Sequence, residues 1–203
     1  MVMFETVASA NAQDISLFKT RLEDNPQDIE ALIELGRFYH DEGVEGNDKS
    51  VELSIEYLSK ALAHDPGNSL ARVLRGSGYT LRARDHWSPP KKLDFLKLGG
   101  REMDKAVQTD PLNPDVRLVR AANYLQLPRI FGRFETGKAD LLQLLSDPQL
   151  HSYRKELQGA VYYFAGVLAE KEGNKEESLR LFRKAMQTAP DTRASDLARK
   201  KLR

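Results

Sequence analysis

Four segments of the chain place a proline directly after an apolar pattern typical of a helix. Three of these segments also carry a Lys-Ala pair that ends five residues before the proline. The segments are 57–66, 103–111, 141–148 and 182–190. A phrase that returns along a chain indicates a repeat architecture, in which each unit needs its neighbours to cover its apolar face. This repetition constrains the fold more than any other feature of the sequence.

The last of these repeats, residues 159–190, alternates large and small side chains and ends in proline. The positions are Tyr162, Gly166, Ser178, Phe182, Ala185 and Pro190. They resemble the tetratricopeptide repeat (TPR) family, whose unit is two antiparallel helices with small residues where the helices cross and a proline that closes the second helix. Residues 32–66 fit the same pattern once a six-residue insertion, 44–49, lengthens the turn between the helices.

Apolar periodicity supports the same architecture without reference to the family. Apolar residues recur at spacings of three and four, which marks one buried face on each of two successive helices. They are Leu32, Leu35, Tyr39, Leu53, Tyr57, Leu58 and Ala61. Gly36 and Gly166 interrupt good helical sequence, which favours a close approach of another helix at these two points.

The repeats are irregular, because successive closing prolines lie 40, 45, 37 and 42 residues apart. Extra length falls at 85–97, at 127–134 and at 149–158. In the first of these insertions, Ser88 before two prolines predicts that the following helix begins early. The sequence therefore predicts an all-α, right-handed superhelical solenoid of about four irregular helix pairs with one concave face. A leading helix over 14–23 and a trailing helix over 191–202 complete one domain, 14–203, behind a flexible tail, 1–13.

Composition limits the function classes. The chain has 203 residues, no cysteine and a formal net charge of +1. It therefore has no thiol chemistry and no global positive field for polyanions. No apolar run approaches the roughly 20 residues that cross a bilayer. The segment 8–12 resembles a signal-peptidase cleavage site, but the residues before it lack a basic start and a long apolar stretch. A cytoplasmic location is expected, with a periplasmic or exported protein as the alternative if the true N-terminus is longer.

Charge is distributed unevenly along the chain. Residues 1–71 carry a net charge of −9, residues 72–138 carry +7 and residues 139–203 carry +3. Within the basic middle, one pattern occurs twice with an offset of 45 residues; we call it the arginine ladder. Its members are Arg72, Arg75, Tyr79, Arg117, Arg120 and Tyr124. Guanidinium groups beside aromatic rings suit an acidic partner. In the structural alternative, the arginines cover helix crossings and pair with carboxylates such as Asp104 and Asp115.

The TPR resemblance also implies a groove that binds a peptide or a partner protein. The residues that it places in or near this groove are Arg37, Thr80, Tyr163 and Val167. Together with the arginine ladder, they form the predicted partner-binding set. Self-association is a further possibility, because a bipolar chain favours head-to-tail contacts.

The segment 132–139 is one residue short of a phosphate-binding loop. Its last position is Ala139, which cannot ligate Mg²⁺, and no strand pattern precedes it. A turn followed by a helix start is therefore predicted, and a nucleotide-binding enzyme is the less favoured alternative.

Histidine–aspartate pairs could indicate a metal-dependent hydrolase, but their spacing argues against it. His64 precedes a closing proline, and His40 is expected to end the first helix of its repeat in the same way. Ser77 lies between two glycines without the spacing of a nucleophile elbow. The sequence thus predicts a non-catalytic protein-binding scaffold that needs no cofactor or metal, with nucleic-acid or polyanion binding through 72–138 as an alternative.

Overall fold

The computed structural model describes residues 12–203, which contain ten α-helices and no β-strand. Two 3₁₀ turns, Arg129–Phe131 and Leu150–Ser152, join helices in the second half. The helices are α1 (Ala12–Asp24), α2 (Ile29–Val44), α3 (Asp48–His64), α4 (Ser69–Asp85), α5 (Pro89–Thr109), α6 (Pro114–Gln126), α7 (Phe134–Ser146), α8 (Lys155–Lys171), α9 (Lys175–Thr188) and α10 (Arg193–Lys201). The predicted all-α class and the predicted order of helices are confirmed.

The described chain divides within α6 into two compact units, one reaching Arg120 and the other spanning Ala121–Arg203. In the first unit, α1 packs on α2, α2 on α3, α3 on α4 and α4 on α5. In the second unit, α7 contacts α8, α8 packs on α9, and α10 contacts both α8 and α9. A single domain over 14–203 stays a prediction. Most of the predicted tail, residues 1–11, lies outside the described residues.

Side-chain caps fix where several helices begin. In each case, a side-chain oxygen accepts a hydrogen bond from a backbone N–H in the first turn, which has no partner within the helix. The capping residues are Asp28 for α2, Asn47 for α3, Asn68 for α4, Asn174 for α9 and Thr192 for α10. These short polar residues follow the turns between helices and define the first residue of the next helix.

Glycines set the distance between paired helices, as predicted for two of them. A Cβ at Gly36 would lie 2.6 Å from Leu58 Cγ, and a Cβ at Gly166 would lie 2.6 Å from Phe182 Cε1. Gly76 and Gly99 form a closer contact that the sequence did not reveal. There, a Cβ at Gly99 would meet the Gly76 carbonyl oxygen at 2.5 Å. Close packing of this kind holds α4 against α5.

The insertions are partly absorbed into helices. As predicted, α5 begins at Pro89 after Ser88 and is 21 residues long. The expected long turn over 44–49 is wrong, because α2 continues to Val44 and α3 begins at Asp48. The insertion 149–158 likewise gives its last four residues to α8, where Leu157 and Gln158 are buried. In residues 12–203, none of the helices combines the length and apolar character that a membrane crossing requires.

Candidate functional site

The first half of the arginine ladder lies against α5. Arg72 and Arg75 both donate to Glu102 Oε2, at 3.2 Å and 2.6 Å. Arg72 also donates to the backbone carbonyl of Pro66 at 2.6 Å. Only 8% of Arg72 is exposed. These two arginines therefore neutralise a carboxylate at a helix crossing and cover the end of α3.

The second half of the ladder repeats this geometry. Arg117 donates to the carbonyl of Pro111 at 2.5 Å, and Arg120 donates to Asp104 Oδ1 at 3.3 Å. In each half, the first arginine reaches the proline six residues earlier, and the second reaches a carboxylate on α5. The offset of 45 residues therefore reflects a contact between helices that occurs twice. Asp104 pairs with an arginine of the ladder, as the structural alternative predicts.

The remaining predicted partner-binding residues are mostly core residues. Tyr124 is fully buried in the second unit, where its hydroxyl accepts a hydrogen bond from Arg133 at 3.3 Å. Tyr79 is half-buried. Thr80 is buried and donates to the carbonyl of Ser77 at 2.7 Å. A partner-binding role for these side chains stays a prediction. Their burial shows that they contribute to packing.

Arg37 and the two α8 residues of the set are also enclosed. Tyr163 is 3% exposed, and its ring centroid lies 5.7 Å from that of Phe182. Burial raises the pKa of the Tyr163 phenol to about 12, and the charge of Glu170 adds to the effect. Val167 is buried on the same helix. In the first unit, the Arg37 side chain is 11% exposed and pairs with Glu34 at 3.4 Å.

The segment that resembles a phosphate-binding loop is a turn and a helix start. Gly132 ends a 3₁₀ turn with a φ of +66°, which favours glycine, and α7 begins two residues later. A Cβ at Gly137 would lie 2.8 Å from Tyr124 Cβ, so this glycine serves helix packing. Lys138 forms an ion pair with Glu172, whose hydrogen bond raises the pKa of the lysine. No strand precedes the segment within the described chain.

His40 does not end α2, contrary to the expectation from sequence. The helix continues to Val44, because Gly43 packs against Val51 and is buried there. His40 Nε2 lies 2.9 Å from Ser77 Oγ, and His40 Nδ1 lies 3.5 Å from Asp41 Oδ1. The order Asp, His, Ser resembles a hydrolase triad, but both His40 and Ser77 are fully buried. Because both side chains are enclosed, this group is a polar contact of the core.

His64 is the last residue of α3, as predicted. Among residues 12–203, no group of three or more His, Cys, Asp or Glu side chains is arranged so that it could hold a metal ion.

A cleft of about 290 Å³ lies in the first unit, where α4 turns into α5. The residues that line it are Asp48, Val51, Glu52, Arg82, Asp85, His86 and Trp87. Trp87 is 88% exposed, the most exposed aromatic side chain among the large hydrophobic residues of the described chain. Sequence reasoning missed this site. The available signal was a tryptophan, the only one in the chain, within an insertion between two helices.

No protein-family model and no curated protein matches the sequence. The structure is similar to that of TTC0263, a thermophilic TPR protein in Thermus thermophilus, with a TM-score of 0.71 and 22% identity. That similarity covers 93% of this chain and 89% of TTC0263. This chain has the TPR fold. MamA is also similar, with a TM-score of 0.52 and 18% identity over 94% of this chain and 97% of MamA.

The TPR fold gives each helix pair a position in the repeat. The pairs are α2 with α3, α4 with α5, α6 with α7, and α8 with α9. The arginine ladder occupies the first helices of the second and third TPR units. The Trp87 cleft lies at the turn within the second TPR unit, where α5 starts early.

Proposed function

We propose that this chain is a non-catalytic scaffold that binds another protein. The observation that carries the proposal is the TPR fold, shared with TTC0263 over most of both chains. A stack of preformed helices offers a binding surface without the entropy cost of ordering one during association. TPR proteins generally act as non-catalytic interaction scaffolds.

The enzyme-like features of the sequence have packing roles, which supports this proposal. Ser77 and His40 are enclosed in the core. Lys138 lies on α7 and forms an ion pair with Glu172, instead of projecting from a glycine-rich loop. These contacts leave none of the three side chains placed for nucleophilic or phosphoryl chemistry.

Polyanion binding through 72–138 is less well supported than protein binding. Arg72, Arg75 and Arg120 already donate to carboxylates, so a phosphate backbone would have to displace those carboxylates. An acidic protein partner on the arginine ladder faces the same competition. Binding by the ladder, self-association and a cytoplasmic location stay predictions.

The scaffold proposal is tested by capturing partners from nuclease-treated extract of the native host with the immobilised full chain. Each captured protein is then purified and titrated against the chain by calorimetry, alongside ATP, GTP and a mixed-sequence oligonucleotide. Saturable binding of a purified protein, without response to nucleotide or oligonucleotide, is expected. Saturable binding of a nucleotide or an oligonucleotide, with no protein bound, would overturn the proposal.

A further inference from the structure

We propose that the Trp87 cleft binds an arginine or lysine side chain of a partner protein, an inference that rests on the scaffold function proposed above. The cleft combines an open aromatic face with carboxylates, and it lies beside the ion pair of Arg82 with Glu52 that joins α4 to α3. Its volume of about 290 Å³ suits one or two side chains. Pockets for drug-sized ligands begin at about 300 Å³.

One wall of the cleft is aromatic. The His86 ring lies nearly parallel to the Trp87 indole, with 6.1 Å between centroids and 17° between planes. His86 also contacts Phe95 at 5.6 Å, and its Nδ1 accepts the backbone N–H of Ser88 at 3.0 Å. The histidine is therefore held from two sides and supports the tryptophan. Because Trp87 is 88% exposed, most of the indole is available to a cation.

The other wall carries three carboxylates. Asp48 and Glu52 lie one turn apart at the start of α3, and Asp85 is the last residue of α4. The guanidinium group of the wall, Arg82, is already engaged. It pairs with Glu52 at 2.8 Å and lies 4.7 Å from the centroid of the Phe95 ring.

Asp85 is also paired, but Asp48 is not. Arg84 donates to Asp85 at 2.5 Å and to the carbonyl of Gly43 at 2.9 Å. The hydrogen bond to Asp85 raises the pKa of Arg84, and the negative charge of Asp48 acts in the same direction. Within residues 12–203, Asp48 has this longer-range attraction to Arg84 but no ion pair or side-chain hydrogen bond of its own. Its carboxylate is exposed at the cleft.

Charge complementarity decides the occupant. A cation can contact the face of Trp87 while its charge is balanced by Asp48, which forms no ion pair within residues 12–203 and attracts Arg84 only at longer range. An acidic side chain would meet three carboxylates, and the guanidinium groups of Arg82 and Arg84 are already paired with two of them. An uncharged apolar side chain could contact the indole, but it would leave the carboxylate wall unused. The cleft therefore fits a basic segment of a partner.

The test uses the full chain labelled with ¹⁵N and three synthetic peptides. The probe is acetyl-Gly-Arg-Ala-Arg-Gly-amide, and the comparison peptides replace both arginines with citrulline, a neutral isostere, or with glutamate. Because Trp87 is the only tryptophan, its indole N–H gives one assigned signal that reports on the cleft. We expect a saturable shift of that signal with the arginine peptide and at least tenfold weaker binding of the citrulline peptide.

Two variants and two matched controls locate the binding. Asp48→Asn and Trp87→Ala should each weaken arginine-peptide binding at least fivefold; for Trp87→Ala, the backbone signals of α3 provide the readout. Asp24→Asn and Leu112→Ala change an exposed carboxylate and an exposed apolar residue elsewhere in the first unit, and should bind as the wild type does. Both cleft residues are exposed, so each variant is expected to fold, and far-UV dichroism checks this.

The outcomes separate this proposal from the scaffold function. Absence of a saturable shift at millimolar arginine peptide, equal binding of the citrulline peptide, or preference for the glutamate peptide would each overturn the cleft assignment. A purified partner that binds wild type and Trp87→Ala equally would leave the scaffold function standing and reject the cleft. Arginine-peptide binding that depends on Asp48, in a chain that binds no protein, would support the cleft and reject the scaffold function.

Discussion

His40 of α2 and Ser77 of α4 are joined by a buried hydrogen bond of 2.9 Å between Nε2 and Oγ. The two residues are 37 positions apart and belong to successive TPR units. Neither side chain is exposed to solvent. A buried polar atom without a hydrogen-bond partner destabilises the fold, because its lost contact with water is not replaced. Any alignment of α2 and α4 that separates His40 from Ser77 would therefore be less stable.

Ser77→Ala should lower the free energy of unfolding by about 1 to 3 kcal/mol, because it leaves His40 Nε2 without this partner. Urea unfolding followed by far-UV dichroism measures the change. Ser16→Ala, at an exposed position in α1, is the control and should change stability by less than about 0.5 kcal/mol. Equal stability of Ser77→Ala and wild type would show that the bond contributes nothing to the stability of the first unit.

Phe182→Ala should destabilise the chain by about 3 to 5 kcal/mol through lost burial and a cavity. Phe182 is 1% exposed and lies against Gly166, where no Cβ intervenes. Phe131→Ala removes the same atoms at a 37% exposed position and should cost less than about 1 kcal/mol. A melting temperature of Phe182→Ala within a degree or two of wild type would contradict the packing described for α8 and α9.

The double variant Arg75→Glu, Arg120→Glu should lose stability, on the order of 2 to 4 kcal/mol. Each substitution places a second carboxylate beside Glu102 or Asp104 in a largely buried setting. Arg101→Glu changes an exposed charge on α5 and serves as the control. Thermal unfolding by dichroism is the measurement. If the double variant melts as wild type does and loses an acidic partner, the arginine ladder is a binding site instead.

Lys138→Ala should leave the fold intact, and wild type should show no saturable binding of ATP or GTP at millimolar concentration. The reason is that Lys138 extends from α7 to Glu172 and Gly137 packs on Tyr124. Isothermal titration with each nucleotide checks both proteins. Binding to wild type that disappears in the variant would restore the nucleotide-binding alternative.

Stability should fall as pH rises from about 10 towards 12, partly because of Tyr163. Burial raises the pKa of its phenol to about 12 in the folded chain, whereas the unfolded chain ionises near 10. The folded state therefore holds a proton that the unfolded state releases, and the resulting loss is about 1 kcal/mol at pH 11.

Tyr163→Phe should reduce this loss, measured as the difference in urea unfolding free energy between pH 8 and pH 11. It should not abolish the loss, because a hydrogen bond to Asp147 raises the pKa of Tyr153 to about 12 as well. An unchanged slope in Tyr163→Phe would mean that the phenol ionises in the folded chain as readily as in the unfolded chain.

Features carried by local spacing could be predicted from the sequence. Ser88 before Pro89 marks the start of α5, and Gly166 with Phe182 marks a helix crossing. Both depend on residues whose backbone or size preferences act over a few positions. The order of helices followed from the same kind of signal.

Features that depend on distant partners were missed or left open. The Glu102 carboxylate accepts hydrogen bonds from arginines 27 and 30 residues away. The sequence does not show that α4 and α5 cross there, so it left open whether the arginine ladder binds a partner or joins helices. His40 was expected at a helix end, because the packing of Gly43 on Val51 cannot be read from neighbouring residues. The Trp87 cleft required knowing that α3 begins beside the end of α4.

The exposure of Trp87 also determines what the intrinsic fluorescence of this chain can report. The indole is already 88% in contact with solvent in the folded state, so unfolding changes its surroundings little. Tryptophan emission is therefore a poor measure of core stability, and the carboxylates beside it make it responsive to local charge and to quenchers. A flat emission trace during heating would reflect the position of the fluorophore and should not be taken as evidence of a heat-resistant fold.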